Sequence, residues 1–542
     1  MTRQLLQDIS GATFDAVIVG AGVNGCGVAR DAALRGLRVL LLDKGDIAAG
    51  TTAASTRLIH GGLRYLEHGE VGLVRESLRE RETLLRRVAP HLVRPLPMLV
   101  PVYAGRRRGR LTIRAGMLAY DLLSSSKSLP RHRMLTAAEA LGHAPGLEQE
   151  GLRGAALFYD AQVEYAERLA VENALNARAH GASVLTYARV ERLLVEEGAV
   201  RGVVFKDLLG GETHEARAGF VLNAAGPWVD EVLAGTHAEG ERLLGGTKGS
   251  HVVVRVFEGA PRAAVYAEAA EDGRPFFVVP WDDKLLIGTT DERYAGDLDR
   301  VAADAREIEY LLRETNRVLP SARLTQADVL YTYSGVRPLP HIAEGAESGI
   351  TRRHFIKPSH VRGLFSIVGG KLTTYRALAE ETVELIFRAL GKSPPPCQTS
   401  EAPLPGAAVE DFDAFRRDFA ARSTLSPESN ARLLKVYGVR ATEVLRLART
   451  EPELSQVISA ETGSIGAEVV YAFREEMAET LADCLMRRTM VGLNGRLGLD
   501  ASEHAARLAR KFLGWDEGRA SGEVEAYRSY VGRFKPPVCA PA

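Results

Sequence analysis

The stretch VIVGAGVNGCGVARDAALRG (17–36) limits this chain to a small set of folds. An apolar run ends in Gly20, and Gly20, Gly22 and Gly25 form G-x-G-x-x-G ahead of a helix of small residues. Gly20 allows the tight turn, Gly22 lets a pyrophosphate reach the backbone and Gly25 lets helix pack on strand. Asn24 lies at the start of the helix, where free N–H groups and the dipole favour a phosphate. A second apolar run, LRVLLLD (37–43), closes a β-α-β unit. Its last residue, Asp43, stands where an acid accepts hydrogen bonds from a ribose, with Lys44 beside it. The unit alone does not separate FAD from NAD.

The continuation favours FAD. A nicotinamide enzyme usually runs straight into further β-α units, whereas KGDIAAGTTAASTRLIHGG (44–62) is a long run of small and hydroxyl residues. Thr51, Thr52, Ser55 and Thr56 offer hydroxyl donors along an extended cofactor, and a polar loop is the plainer alternative. Two buried runs end in glycine where a parallel sheet presents its carboxyl edge: GFVLNAAG with Ala225 and Gly226, and GLFSIVGG with Gly370. After the second, Lys371, Leu372 and Thr373 lead into an amphipathic helix expected to begin near Leu372. Its positive end would stabilise a reduced flavin, which is negative near N1 and O2.

Charge narrows the partners. Lys and Arg number 69, as do Asp and Glu, so no global field favours nucleic acid. The four cysteines are scattered, which fits a reducing cytosol better than a disulfide framework. No signal-peptide pattern opens the chain, and no run approaches the ~18 apolar residues of a spanning helix. The runs SHVVVRV (250–256), PFFVVPW (275–281) and KLLIGTTD (284–291) read as half-buried antiparallel strands. A Pro-rich break, GKSPPPCQ (391–398), precedes a helical region. There Ser426-Pro427 suits a helix start, and AEVVYAFREEMAETLADCLMRR reads as one amphipathic helix with Arg487 and Arg488 at its negative pole.

The motifs GAGVNGCG, STRLIHGGLRYLEHG, NAAGPW, KGSH, IGTTD, YSGVRP and GGKLTTYR, in this order from about residue 14 to 390, resemble the FAD-dependent glycerol-3-phosphate dehydrogenases. CLMRRTMVGL resembles that family's end domain more loosely. The resemblance implies an α/β + α fold of the D-amino-acid-oxidase type. Residues 1–90, 151–230 and 341–392 would form a Rossmann-type FAD-binding domain. Residues 91–150 and 231–340 would form an inserted antiparallel-sheet substrate domain, and 393–542 a helical C-terminal domain. It implies non-covalent FAD and oxidation of sn-glycerol 3-phosphate to dihydroxyacetone phosphate, with hydride passing from C2 to flavin N5 and electrons to a membrane quinone. An O₂-using oxidase and an amine or amino-acid oxidoreductase of the same fold remain alternatives, and a homodimer stays open.

A phosphate dianion calls for cations and hydroxyls. Arg64, Arg337, Lys371, Tyr65 and Thr290 are the candidates by motif position. His251 in KGSH and His60 in LIHGG are the candidate bases, His251 being favoured, and Arg337 could lower the alcohol pKa instead. Gly61 and Gly62 would let the backbone pass close to the cofactor. Arg106, Arg107, Arg108 and Arg110 precede LTIRAGMLAYDLL, where Leu111, Ala115, Leu118 and Leu122 share one helical face. A basic cluster beside an amphipathic helix suits an anionic lipid surface, and implies peripheral attachment at the cytoplasmic face of the membrane.

Overall fold

A computed structural model describes residues 5–67, 69–105, 109–124, 128–235, 242–341 and 353–537. The opening apolar run forms strand Ala16–Val19, fully buried, followed by helix Val23–Leu34 and strand Val39–Leu42. These belong to a six-stranded sheet in the order 355–358, 364–368, 221–223, 16–19, 39–42, 183–185. All its pairings are parallel except the edge strand Phe355–Pro358. Continuous apolar runs are what such a sheet requires, because both its faces are covered. Helices Ala166–Ala179 and Tyr375–Ala389 pack against Val23–Leu34. The small residues of Val23–Leu34 allow the close approach: a Cβ on Gly27 would stand 2.8 Å from the Tyr375 ring. A four-stranded sheet, dominated by the antiparallel strands 188–196, 199–207 and 213–218, contributes to a second core with strands 16–19 and 39–42.

The second body is a ten-stranded sheet. Strand Val93–Tyr103 pairs antiparallel with Leu152–Val163 along nearly its whole length, and 247–255 lies between 284–288 and 329–337. Strand Leu152–Val163 opens the 151–230 segment expected to serve the cofactor domain, yet it lies wholly in this sheet. The chain thus crosses from one sheet to the other within that segment.

The last third is helical. Ser426 caps helix Pro427–Tyr437 through the Ser429 N–H, with Pro427 at its first position. The expected single helix over 467–488 is instead broken: Gly466–Glu475 ends, Met477 takes a positive φ of 58°, and a π-turn covers Cys484–Arg488. Arg487 and Arg488 do not answer a helix dipole. Both are buried, and both pair with Asp46 of the nucleotide-binding unit. Among the described residues no helix is long and apolar enough to cross a membrane.

Candidate active site

A cavity of about 780 Å³ runs along the carboxyl edge of the six-stranded sheet and under the second body. That volume is within the range of ligand sites, roughly 300–1,000 Å³. Gly20, Gly22, Asn24, Asp43 and Lys44 line it, together with Thr51, Thr52, Ser55, Thr56, Ala225 and Gly226. Gly20 has φ +108°, and a Cβ there would stand 2.6 Å from the Ala224 carbonyl oxygen. A Cβ on Gly25 would come within 1.9 Å of the Gly20 oxygen, so Gly25 serves packing. Gly22 is the glycine that leaves its side open: the nearest atom to an added Cβ is Thr52 Oγ1 at 3.4 Å. Asp43 accepts from the backbone N–H groups of Ala21 (2.6 Å) and Gly45 (2.7 Å). Burial pushes its carboxyl above the usual range, and those two N–H bonds oppose the shift.

The hydroxyl run does more than face a cofactor. Thr52 Oγ1 accepts the Val23 N–H at the helix start, Thr51 donates to the Val336 carbonyl and Thr56 Oγ1 lies 2.9 Å from His251 Nε2. These bonds join the loop to the nucleotide helix on one side and to the substrate-side sheet on the other. Lys44 reaches Asp299 at 2.8 Å and lies over the Trp228 ring.

Gly370, Lys371 and Leu372, after strand Leu364–Val368, line the same cavity, as do Gly249, His251 and Arg337. The helix begins at Tyr375, three residues later than expected, because Leu372–Thr374 form a turn. Gly370 has φ +101°, and a Cβ there would stand 2.7 Å from Asn24 Nδ2. Thr373 is buried, its hydroxyl accepting the His60 N–H at 3.1 Å. The Gly61-Gly62 pair lets the backbone pass close to neighbouring tyrosines. An added Cβ on Gly61 would stand 2.5 Å from the Tyr120 hydroxyl, and one on Gly62 would enter the Tyr65 ring.

Arg337 is fully engaged by its surroundings: Asp291 Oδ1 at 2.9 Å, Thr289 Oγ1 at 3.0 Å, the Thr290 carbonyl at 3.1 Å and Thr247 Oγ1 at 3.3 Å. Lys371 Nζ lies 3.7 Å from the Tyr65 ring centroid and 3.5 Å from Ser77 Oγ. The backbone of Arg64 lies in helix Leu63–Glu67, but its side chain is outside the described residues. Thr290 does not reach the cavity. It is 5% exposed, bonds Glu307 Oε1 at 2.7 Å and accepts the Ser250 N–H, so its hydroxyl braces the sheet.

The two histidines differ in access. His251 is 2% exposed, stacked on Tyr333 and bonded to Thr56. Burial first, then Arg337 and Arg57, holds its pKa down to about 3. His60 is half-buried beside Lys371 and Asp160, and burial holds it at about 4. Both rings are neutral at pH 7. His251, the base favoured by the sequence, lines the cavity with its Nδ1 unpartnered among the described residues, whereas the His60 side chain does not line it.

Several contributors escaped sequence reading. Arg57, with φ +60°, holds Glu167 by two 2.7 Å bonds beneath the hydroxyl loop. Asp160 accepts from Arg81 and Tyr120 and underpins Gly61. The one local signal for Asp46 was an acid in a stretch of small residues.

A dinucleotide fits this cavity. Asn24 Oδ1 and Trp228 Nε1, both of lining residues, are buried without a hydrogen-bond partner among the described residues, and the Gly22 side is open. Fold and site define a FAD-dependent oxidoreductase: residues 15–385 match the family model of that description, and 397–520 match the C-terminal domain of alpha-glycerophosphate oxidase. The chain is 45% identical over 539 residues to a glycerol-3-phosphate dehydrogenase of Synechocystis, covering 97% of each, and 37% identical to glycerol-3-phosphate dehydrogenase 2 of Mycobacterium tuberculosis, covering 96% of this chain and 88% of that one. The crystal structure of a Bacillus halodurans glycerol-3-phosphate dehydrogenase complexed with FAD superposes with a TM-score of 0.81 at 29% identity, covering 100% of this chain and 99% of the other. The chain belongs to the FAD-dependent glycerol-3-phosphate dehydrogenase family, and its cofactor is FAD.

Proposed function

We propose that this enzyme oxidises sn-glycerol 3-phosphate at C2 to dihydroxyacetone phosphate and passes the electrons to a membrane quinone. The supporting observation is that Lys371, from the cofactor domain, and Arg337, from the substrate-side sheet, line one cavity, their segments joined by the bond from the Gly369 N–H to the Pro338 carbonyl. FAD, when bound non-covalently, supplies the two-electron acceptor. Lys371 and Arg337 are both phosphate cations in this reading, and Asp291 orients Arg337. Arg64 joins them by motif position, and Tyr65 adds a hydroxyl. Arg337 holds the Thr289–Asp291 loop against strand Thr247–Arg255 and keeps a positive field near the substrate alcohol. His251, which lines the cavity with its Nδ1 unpartnered among the described residues, accepts the hydroxyl proton. His251 fixes Thr56 and the loop that carries it.

Anaerobic addition of glycerol 3-phosphate should bleach the yellow holoenzyme, and a soluble quinone should restore the colour faster than air does. Colour unchanged by this substrate but bleached by an amine or amino acid would reject the reading; reoxidation faster in air would make the protein an oxidase. Lys371→Met should raise KM for glycerol 3-phosphate at least about tenfold, a loss of about 1.4 kcal/mol, close to the lower end of the ~1.5–3 kcal/mol of a charged hydrogen bond. Normal KM in that variant would move the phosphate to Arg64 and Arg337.

Attachment to the membrane surface rests on helix Arg110–Leu123. It buries Met117 and Tyr120 while Leu111 and Leu122 stand about 80% and 79% exposed and Leu118 49%. Arg110 and Arg114 are exposed on the same helix, and Arg106, Arg107 and Arg108 lie outside the described residues. Fully burying a leucine contributes about 1.5–3 kcal/mol, and partial insertion of three adds to the attraction of the exposed arginines for anionic lipid. A Leu111→Ser/Leu118→Ser/Leu122→Ser variant should lose at least about tenfold in co-sedimentation with anionic vesicles. It should keep its turnover with a soluble dye. Undiminished sedimentation would exclude this helix as the docking element.

A further inference from the structure

The C-terminal domain does not merely stand beside the cofactor site. Met486, Arg487, Glu523, Tyr527, Tyr530 and Arg533 line the same cavity as the G-x-G-x-x-G turn. Behind that wall lies a sealed ionic cluster. Asp46 accepts from Arg487 Nε at 2.6 Å and from Arg488 Nη1 and Nη2 at 2.9 and 2.7 Å, with its side chain wholly buried. Arg487 also donates to Asp483 and to the Tyr530 hydroxyl, and Tyr187 donates to Asp483 at 2.7 Å. The Tyr187 and Ala188 N–H groups in turn hold the carbonyls of Gly45 and Asp43. The Asp43–Asp46 loop is therefore gripped from both sides. The exposed rim repeats the pattern: Asp299 takes Lys44 on its carboxylate and Arg533 on its carbonyl.

We propose that the C-terminal domain is a working wall of the FAD site. Arg487 and Arg488 hold Asp46 and so position the loop that presents Asp43 to the ribose, and helix Glu517–Gly532 closes the nucleotide end with Tyr530 and Arg533. Buried charges paired across two regions tie them together at one geometry, and removing a partner releases both. The inference rests on the reading of Asp43 as the ribose acceptor, and that reading can fail separately.

The test is FAD release from the full-length holoenzyme, followed by recovery of flavin fluorescence, together with competition by ADP and by FMN for rebinding. Arg488→Gln should release FAD at least about tenfold faster, with ADP affinity falling in step and FMN affinity unchanged. Tyr530→Ala and Arg533→Ala, at partly or fully exposed positions, carry the same expectation on a smaller scale and decide the matter if Arg488→Gln does not fold. Release within about twofold of wild type in the variants that fold, or an equal loss for FMN, overturns the proposal. Asp43→Asn separates the premise: faster release there alone leaves Asp43 a ribose ligand and rejects the wall, and unchanged release rejects Asp43 as the ligand and the loop argument with it.

Discussion

Replacing His251 with alanine is expected to lower kcat by about 10²–10⁴-fold, the usual contribution of a general base. KM should move by no more than a few-fold, because a base acts in the transition state. FAD content is measured alongside, since the change also unmakes the bond to Thr56 and a stack on Tyr333. His60→Ala is the control: its side chain does not line the cofactor cavity, and kcat should stay within about twofold of wild type. If His60→Ala has the larger kcat defect with FAD retained, the base is His60. The two rings also make a statement about pH. A base works in its neutral form, so activity persists above its pKa and is lost as pH falls through it. With His60 near 4 and His251 near 3 in the substrate-free protein, neither imidazole should titrate between about pH 5.5 and 8 by histidine NMR, although free histidine titrates near 6.5. A midpoint near 6.5 for either would place that ring in water.

The largest loss of stability is expected at Glu167. Burial by itself would push the Arg57 guanidinium down; the Glu167 carboxylate outweighs this and holds it well above its ordinary value. The pair is bidentate and almost wholly inaccessible, and Arg57 lies over the Trp281 ring at 4.6 Å. Glu167→Ala leaves that cation buried without its carboxylate, at a cost of about 3–5 kcal/mol. Apparent melting temperature should fall, and FAD should leave at lower temperature than in wild type, because Arg57 anchors the loop that carries Thr51–Thr56. The double variant Arg57→Met/Glu167→Leu should recover much of the loss, since an apolar pair leaves no orphaned charge. Equal losses in single and double variants would show that the site responds to side-chain volume rather than charge.

Local chemistry determined much of this protein from the sequence alone. A glycine at a positive φ, a run apolar on both faces and an acid closing a strand each need only neighbours a few residues away, so the nucleotide unit could be read directly. Strand Pro275–Trp281 falls where alternation placed it, and the Ser426-Pro427 helix start did too. The family followed because several such motifs keep their order. What the tertiary structure decided were pairings between residues hundreds of positions apart. Arg487 and Arg488 read as helix-end cations until Asp46 was found against them, and Thr290 read as a pocket hydroxyl until Glu307 claimed it. His251 and His60 are indistinguishable as letters; only the tertiary structure puts one on the cavity wall and the other off it. A side chain's own chemistry states what it can do, but burial and partners select which of those things it does, and both are set by contacts that no local pattern encodes.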